Sequence, residues 1–137
     1  MILENNKSIW ISLVTGAVGS LVGQLAKLAG CHVIGFAGSD EKCQYLINEL
    51  SFDNAYNYKK VKVEDAMKDG APNGVDCFFD NVGGPDSSVI INHMNQFGQF
   101  EIWVSAWAFP LSFPNYTTWI ILRFCKSQLL IFKIGWH

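Results

Sequence analysis

The first chemical signal is the run Gly16-Ala17-Val18-Gly19-Ser20-Leu21-Val22-Gly23, a Gly-x-x-Gly-x-x-x-Gly pattern between an apolar segment and a segment with helical spacing. Such glycines allow a tight turn and let backbone N–H groups approach a diphosphate, while the N-terminus of the following helix supplies about half a unit of positive charge. Gly23, a turn into that helix, would let it lie close on a sheet. In this position the run favours dinucleotide binding over glycines that serve packing alone. The next apolar segment ends Phe36-Ala37-Gly38-Ser39, without the Asp or Glu that accepts hydrogen bonds from both ribose hydroxyls in NAD-binding domains. Asp40 follows as a helix cap. Lys42 brings a cation within reach of a 2′-phosphate, and Ser39 has a hydroxyl to donate to it. The pattern favours NADP over NAD, the alternative for Lys42 being a solvated surface lysine.

The elements that must position these residues alternate. Ile9-Trp10-Ile11-Ser12-Leu13-Val14 has the composition of a buried strand. From Ala17 to Ala29 the apolar residues Val18, Leu21, Val22, Leu25 and Ala26 recur three and four apart, the spacing of a helix ending at Gly30. A strand at His32–Ala37 precedes a helix capped by Ser39 or Asp40 and ending near Leu50. A short strand at Asn54–Asn57, a helix at Val63–Asp69, a strand at Val75–Phe79, a helix from about Asp86 to Asn95 and a strand at Phe100–Val104 complete the series. Strict alternation predicts an α/β, Rossmann-type parallel sheet with helices on both faces. Tyr56 and Lys60 have the Tyr-x-x-x-Lys spacing in which a lysine poises a tyrosine acid in short-chain dehydrogenases, but a strand and its loop are the wrong setting for that pair.

Composition bounds the rest. With 137 residues, half of them hydrophobic, 16% charged and a net charge of −2, the chain has material for one core. A disordered tail or a nucleic-acid domain would need low hydrophobicity or a basic surface. Cys31, Cys43, Cys77 and Cys125 form no Cys-x-x-Cys pair, and His32, His93 and His137 share no ligand spacing with them, so no metal is predicted and reduced cytoplasmic thiols are the default. His32 reads as a strand residue. The N-terminus lacks a secretory pattern, and Arg123, Lys126 and Lys133 break the apolar stretch from Trp119 to Trp136, so no stable membrane span is expected. Ten of the nineteen aromatic residues lie between Phe100 and His137, which sets a divergent aromatic and apolar segment, residues 106–137, apart from a nucleotide-binding domain, residues 1–105.

The glycine loop, Gly38-Ser39-Asp40-Glu41-Lys42, Phe52-Asp53 with Asn57-Tyr58-Lys59, and Asp80-Asn81-Val82-Gly83-Gly84 together resemble the cofactor domain of the prostaglandin reductases. This is the 15-oxoprostaglandin 13-reductase and leukotriene B4 12-hydroxydehydrogenase group, zinc-independent members of the medium-chain dehydrogenase/reductase superfamily. The resemblance implies NADPH-dependent reduction of the carbon–carbon double bond of an α,β-unsaturated ketone or aldehyde, a small-molecule enone. It implies that Gly16, Ala17, Val18 and Gly19 hold the diphosphate, Lys42 the 2′-phosphate, Tyr58 the adenosine side and Asn81 the region near the nicotinamide ribose. Without it, Tyr58 reads as a half-buried strand tyrosine and Asn81 as a turn former. Two departures stand out: Leu13-Val14-Thr15 replaces three small residues before the first glycine, and Trp103-Val104-Ser105 replaces a Cys-Gly-Ala segment beside the nicotinamide. Both substitutions are expected to crowd the cofactor path. The family's barrel-like catalytic domain and its C-terminal return segment have no counterpart in the chain, so the resemblance implies a sheet incomplete at its C-terminal edge, and no general acid is named. The expected partners are an enone substrate and either a second copy or a full-length subunit; a silent NADP-binding module, or a C-terminal tail without selected function, are the competing readings.

Overall fold

The computed structural model describes residues 3–14, 16–104, 119–125 and 128–134, with backbone pairing alone beyond residue 101. In chain order the elements are β1 (Ser8–Ile11), α1 (Ala17–Leu28), β2 (His32–Ala37), α2 (Asp40–Asn48), β3 (Asn54–Asn57), α3 (Val63–Gly70), β4 (Val75–Asp80), α4 (Pro85–Asn92), β5 (Met94–Val104), β6 (Trp119–Cys125) and β7 (Gln128–Ile134). The sheet runs β3-β2-β1-β4-β5-β6-β7. Its first five strands are parallel, and the chain crosses from β1 outward to β3 and then returns to β4 beside β1. The Rossmann-type alternation expected from the sequence is present.

Alternation along each strand divides the core between the two faces, as a period of two requires. Ile9 and Ile11 of β1, Val33 of β2 and Phe79 of β4 pack with Ala26 of α1 and Leu46 of α2. Trp10, Ile34 and Phe78, each one residue out of phase, pack on the other face with Ala66 and Met67 of α3 and Ile90 of α4. The Trp10 ring meets Phe36 edge-on with centroids 5.0 Å apart, and Phe78 stacks on Phe100 at 5.0 Å.

Four local differences from the sequence expectations have physical causes. The first strand stops at Ile11 because Leu13 takes φ 49°, in the left-handed region. The helix at α1 is present, but the side it buries is the small one, Gly19, Gly23 and Ala26, while Val18, Leu21, Leu25 and Leu28 face outward, Leu28 86% exposed. Close approach explains this choice: a Cβ on Gly23 would lie 2.0 Å from the Phe52 ring. The helix expected to reach Asn95 ends at Asn92, where His93 turns its ring onto the Val89 carbonyl at 2.9 Å. Met94 therefore opens β5, which begins earlier than predicted and reaches its register with β4 through an irregularity between Val75 and Cys77.

His32 opens β2 as an exposed residue, its Nε2 3.0 Å from the Gly70 carbonyl oxygen. Beyond β5, β6 and β7 extend the sheet by antiparallel pairing, Phe100 opposite Phe124 and Leu122 opposite Ile131. The residue pattern of the C-terminal segment predicts neither strand; a faint resemblance over residues 126–136 to a sixth-strand region is the one pointer to β7. Ser105, on which the second departure ends, lies outside the described residues, as do 106–118. Among the described residues no helix is long and apolar enough to cross a membrane, and no group of three or more His, Cys, Asp or Glu is placed to hold a metal ion.

Candidate functional site

The carboxyl ends of β1, β2, β3 and β4 lie along one edge of the sheet, where parallel α/β sheets place their ligand sites. Every sequence-predicted site residue falls on this edge, in two groups.

The first group surrounds the start of α1. Gly16 is its N-cap in an extended conformation, φ −78° and ψ 161°, and the first intrahelical bond runs from the Ser20 N–H to the Gly16 carbonyl at 3.0 Å. A Cβ on Gly16 would meet nothing nearer than the Leu13 carbonyl oxygen at 3.9 Å, so the missing side chain leaves open space in front of the helix. Gly19 is different: its Cβ would lie 2.9 Å from the Leu13 oxygen and 3.0 Å from the Val14 Cα, so here glycine is required by the chain itself. Ala17 and Val18, between them, are exposed. Among the four described helices α1 alone has no acidic residue in its first turn; α2, α3 and α4 begin with Asp40 and Glu41, Glu64 and Asp65, and Asp86. An N-terminus without its own carboxylate keeps its amides and dipole available to an external anion.

Of the three bulkier residues before Gly16, Val14 is buried, its Cγ2 2.4 Å from where a Gly35 Cβ would stand. It fills the core; Leu13 is exposed, and Thr15 lies outside the described residues. Asn81 joins this group by donating from Nδ2 to the Ser12 carbonyl at 3.2 Å, across the β1–β4 pair.

The residue that fixes Asn81 is one to which the sequence alone assigns no role. Asp80, buried at the end of β4, accepts through Oδ1 from the Ser12 hydroxyl at 3.0 Å and from the Val82 and Gly83 N–H groups at 2.9 Å each. Its Oδ2 accepts from the Ser87 hydroxyl at 2.5 Å, so one carboxylate ties β1, the turn after β4 and α4 together. An aspartate followed two residues later by Val-Gly-Gly is the signal of such a turn.

The second group lies where β2 and β3 end. Ser39 caps α2, its Oγ accepting from the Lys42 N–H at 3.3 Å. Of the two expected candidates, Ser39 or Asp40, the cap is Ser39; Asp40 accepts from Asn57 Nδ2 at 2.7 Å and pairs with Lys60, because β3 ends beside the start of α2. The Lys60 ammonium, and then the Asn57 amide, hold the Asp40 carboxyl below the usual carboxylate range. Tyr58 is 47% exposed, and its hydroxyl would be 3.1 Å from a Cβ on Gly38, so the ring covers the loop from β2 to α2. Ser39, Lys42 and Tyr58 thus share one corner of the edge, with Lys42 exposed.

The Tyr56 and Lys60 pair is not brought together as an acid and its activator. The Tyr56 hydroxyl donates to Asp69 at 2.6 Å, and burial followed by that carboxylate raises its pKa, the wrong direction for an acid at neutral pH.

The family model described as Zinc-binding dehydrogenase matches residues 17–115. The chain is 50% identical over 101 residues to Prostaglandin reductase 1 of Mus musculus, covering 73% of this chain and 30% of that protein. It is 42% identical over 100 residues to (+)-pulegone reductase of Mentha piperita, covering 72% and 29% respectively. Among solved structures, CurA of Vibrio vulnificus in complex with NADPH superimposes with a TM-score of 0.64 at 39% identity, covering 68% of this chain and 28% of that one. The chain therefore spans about 30% of the length of the curated relatives it matches.

Proposed function

Because the chain belongs to the zinc-binding dehydrogenase family, we propose that it is the NADP-binding part of an oxidoreductase that reduces the carbon–carbon double bond of α,β-unsaturated ketones or aldehydes, with 15-oxoprostaglandin-like substrates. The observation that carries the nucleotide reading is the start of α1: a helix N-terminus with no acid of its own, opening at Gly16 on the carboxyl edge of a parallel sheet. The NADPH complex of CurA supports the choice of cofactor, and the names of the reductase relatives support the chemistry.

In this reading the backbone amides of Gly16, Ala17, Val18 and Gly19 bind the diphosphate. Ser39 and Lys42 bind the 2′-phosphate and Tyr58 covers the adenosine, while Asn81, oriented through Ser12 and the Asp80 turn, stands near the nicotinamide ribose. When bound, the dinucleotide supplies a hydride for the β-carbon of the enone. The chain's own part is to orient that nucleotide with preorganised donors whose geometry is fixed before binding. Pairing with a second copy or with a full-length subunit belongs to the same proposal, supported by β7 as the outer strand of the sheet, and so does a cytoplasmic location.

Titration of the full chain with NADPH, followed by nicotinamide fluorescence, is expected to saturate, with NADH binding more weakly. Absence of NADPH binding at millimolar concentration by chain shown to be folded by circular dichroism would overturn the reading. Turnover of 15-oxo-prostaglandin separates an active reductase from a silent NADP-binding module.

A further inference from the structure

We propose that Lys60, presented on the turn that follows β3 together with Asn57, is a positioning residue that sets nucleotide preference: it engages the Asp40 carboxylate so that the neighbouring edge accepts a 2′-phosphate. This rests on the NADP reading above.

Asp40 stands about 20 residues beyond the glycine loop and three positions after the last residue of β2, close to the strand end at which a carboxylate in NAD-binding sheets accepts from the ribose 2′-hydroxyl. A free carboxylate in that place repels a phosphate dianion, and like charges set against each other across a binding surface are a strong source of discrimination. Here the carboxylate is engaged on both oxygens. Oδ1 accepts from the amide of buried Asn57 at 2.7 Å, and Oδ2 pairs with the Lys60 ammonium. Both partners come from one fixed turn: Asn57 Oδ1 accepts from the Lys59 N–H at 3.0 Å, and the Asn57 carbonyl accepts from the Lys60 and Val61 N–H groups at 2.9 and 3.0 Å.

Two cations of this corner thereby have different tasks. Lys60 neutralises Asp40, and Lys42, whose ammonium makes no ion pair with the described residues, is left for the phosphate. Stability does not account for the arrangement, since an ion pair with both side chains more than half exposed, 64% and 56%, adds little to folding.

The test compares NADPH and NADH binding to the full chain and its variants at one ionic strength. Lys60→Met is expected to lower the NADPH-to-NADH preference about tenfold, because Asp40 is then uncompensated. Asp40→Asn in the same chain is expected to restore the preference, and Lys60→Arg alone to keep it. Three results overturn the proposal: an unchanged ratio in Lys60→Met, a parallel loss of both nucleotides, as a structural role would give, or a loss that persists in the double variant, as direct contact of Lys60 with the phosphate would give. A parent chain that binds NADPH preferentially while its Lys60→Met ratio stays fixed removes this inference alone; a parent chain that binds no NADPH removes the cofactor reading with it.

Discussion

The two ends of the carboxyl edge are built in opposite ways. Around α1 the site is defined by what is missing: no Cβ on Gly16, no room for one on Gly19, no acid in the first helical turn. Around α2 it is defined by side chains, with Ser39, Asp40, Lys42, Tyr58 and Lys60 converging on one corner. An end made of backbone cannot tell one dinucleotide from another, because both carry the same diphosphate. An end made of charges can, because the two cofactors differ there by a phosphate. In the proposed site affinity and selectivity are therefore separable, and substitutions should divide accordingly.

Gly19→Val should show the largest effect. Its side chain would enter the Leu13 carbonyl and the Val14 backbone, so binding of NADPH and of NADH should fall together by about a hundredfold, with a lowered melting temperature. Asp80→Ala comes next. It leaves two hydroxyls and two N–H groups without their acceptor, at a cost of about 3 kcal/mol in urea denaturation, and it frees the turn that carries Asn81. Lys42→Ala should weaken NADPH about tenfold and leave NADH unchanged; equal losses for both would erase the distinction between the two ends.

The smallest effect is on pH dependence. Asp40, Asp53 and Asp76 all have folded pKa values below the ordinary carboxylate value of about 3.9. For Asp53 burial pushes upward but is outweighed by Lys27 and the Val33 N–H; for Asp76 it is outweighed by Asn95 and Ser8. A carboxyl with a depressed folded pKa stabilises the fold at every pH above its unfolded value, and that contribution is lost as pH falls through the folded one. Urea midpoints should therefore be level from pH 7 to about 5 and decline below about 4, and Asp53→Asn should reduce the decline.

Much of this is legible in the residues themselves. Strands and helices follow from the period of apolar positions, and the glycine loop marks the candidate site because its place between β1 and α1 can be read directly. The inward face of α1 is not legible: hydrophobicity points to Val18, Leu21 and Leu25, whereas Gly19, Gly23 and Ala26 are buried, and only the position of Phe52 beneath the helix decides between them. The true partners of Asp40 depend on β3 ending beside α2, a tertiary fact that local capping preferences do not contain. The role of Asp80 likewise needs Ser12 and Ser87, which stand 68 and 7 residues away in sequence, to meet at one carboxylate. The strands β6 and β7 escape a reading by pattern because a nearly continuous apolar stretch from Trp119 to Trp136, without the glycine punctuation that bounds β1, fits a buried strand and a buried helix equally.

Gly23 touches no ligand in the proposed site, yet it governs where one would sit. The helix rests on the edge of the Phe52 ring at its midpoint, so the ring acts as a fulcrum. A side chain added at that point would lift α1 from the sheet and swing its first turn, and with it the amides of Ala17, Val18 and Gly19, away from the carboxyl end of β1. The position of the anion seat is thus set by the reach of one aromatic ring a full helical turn away.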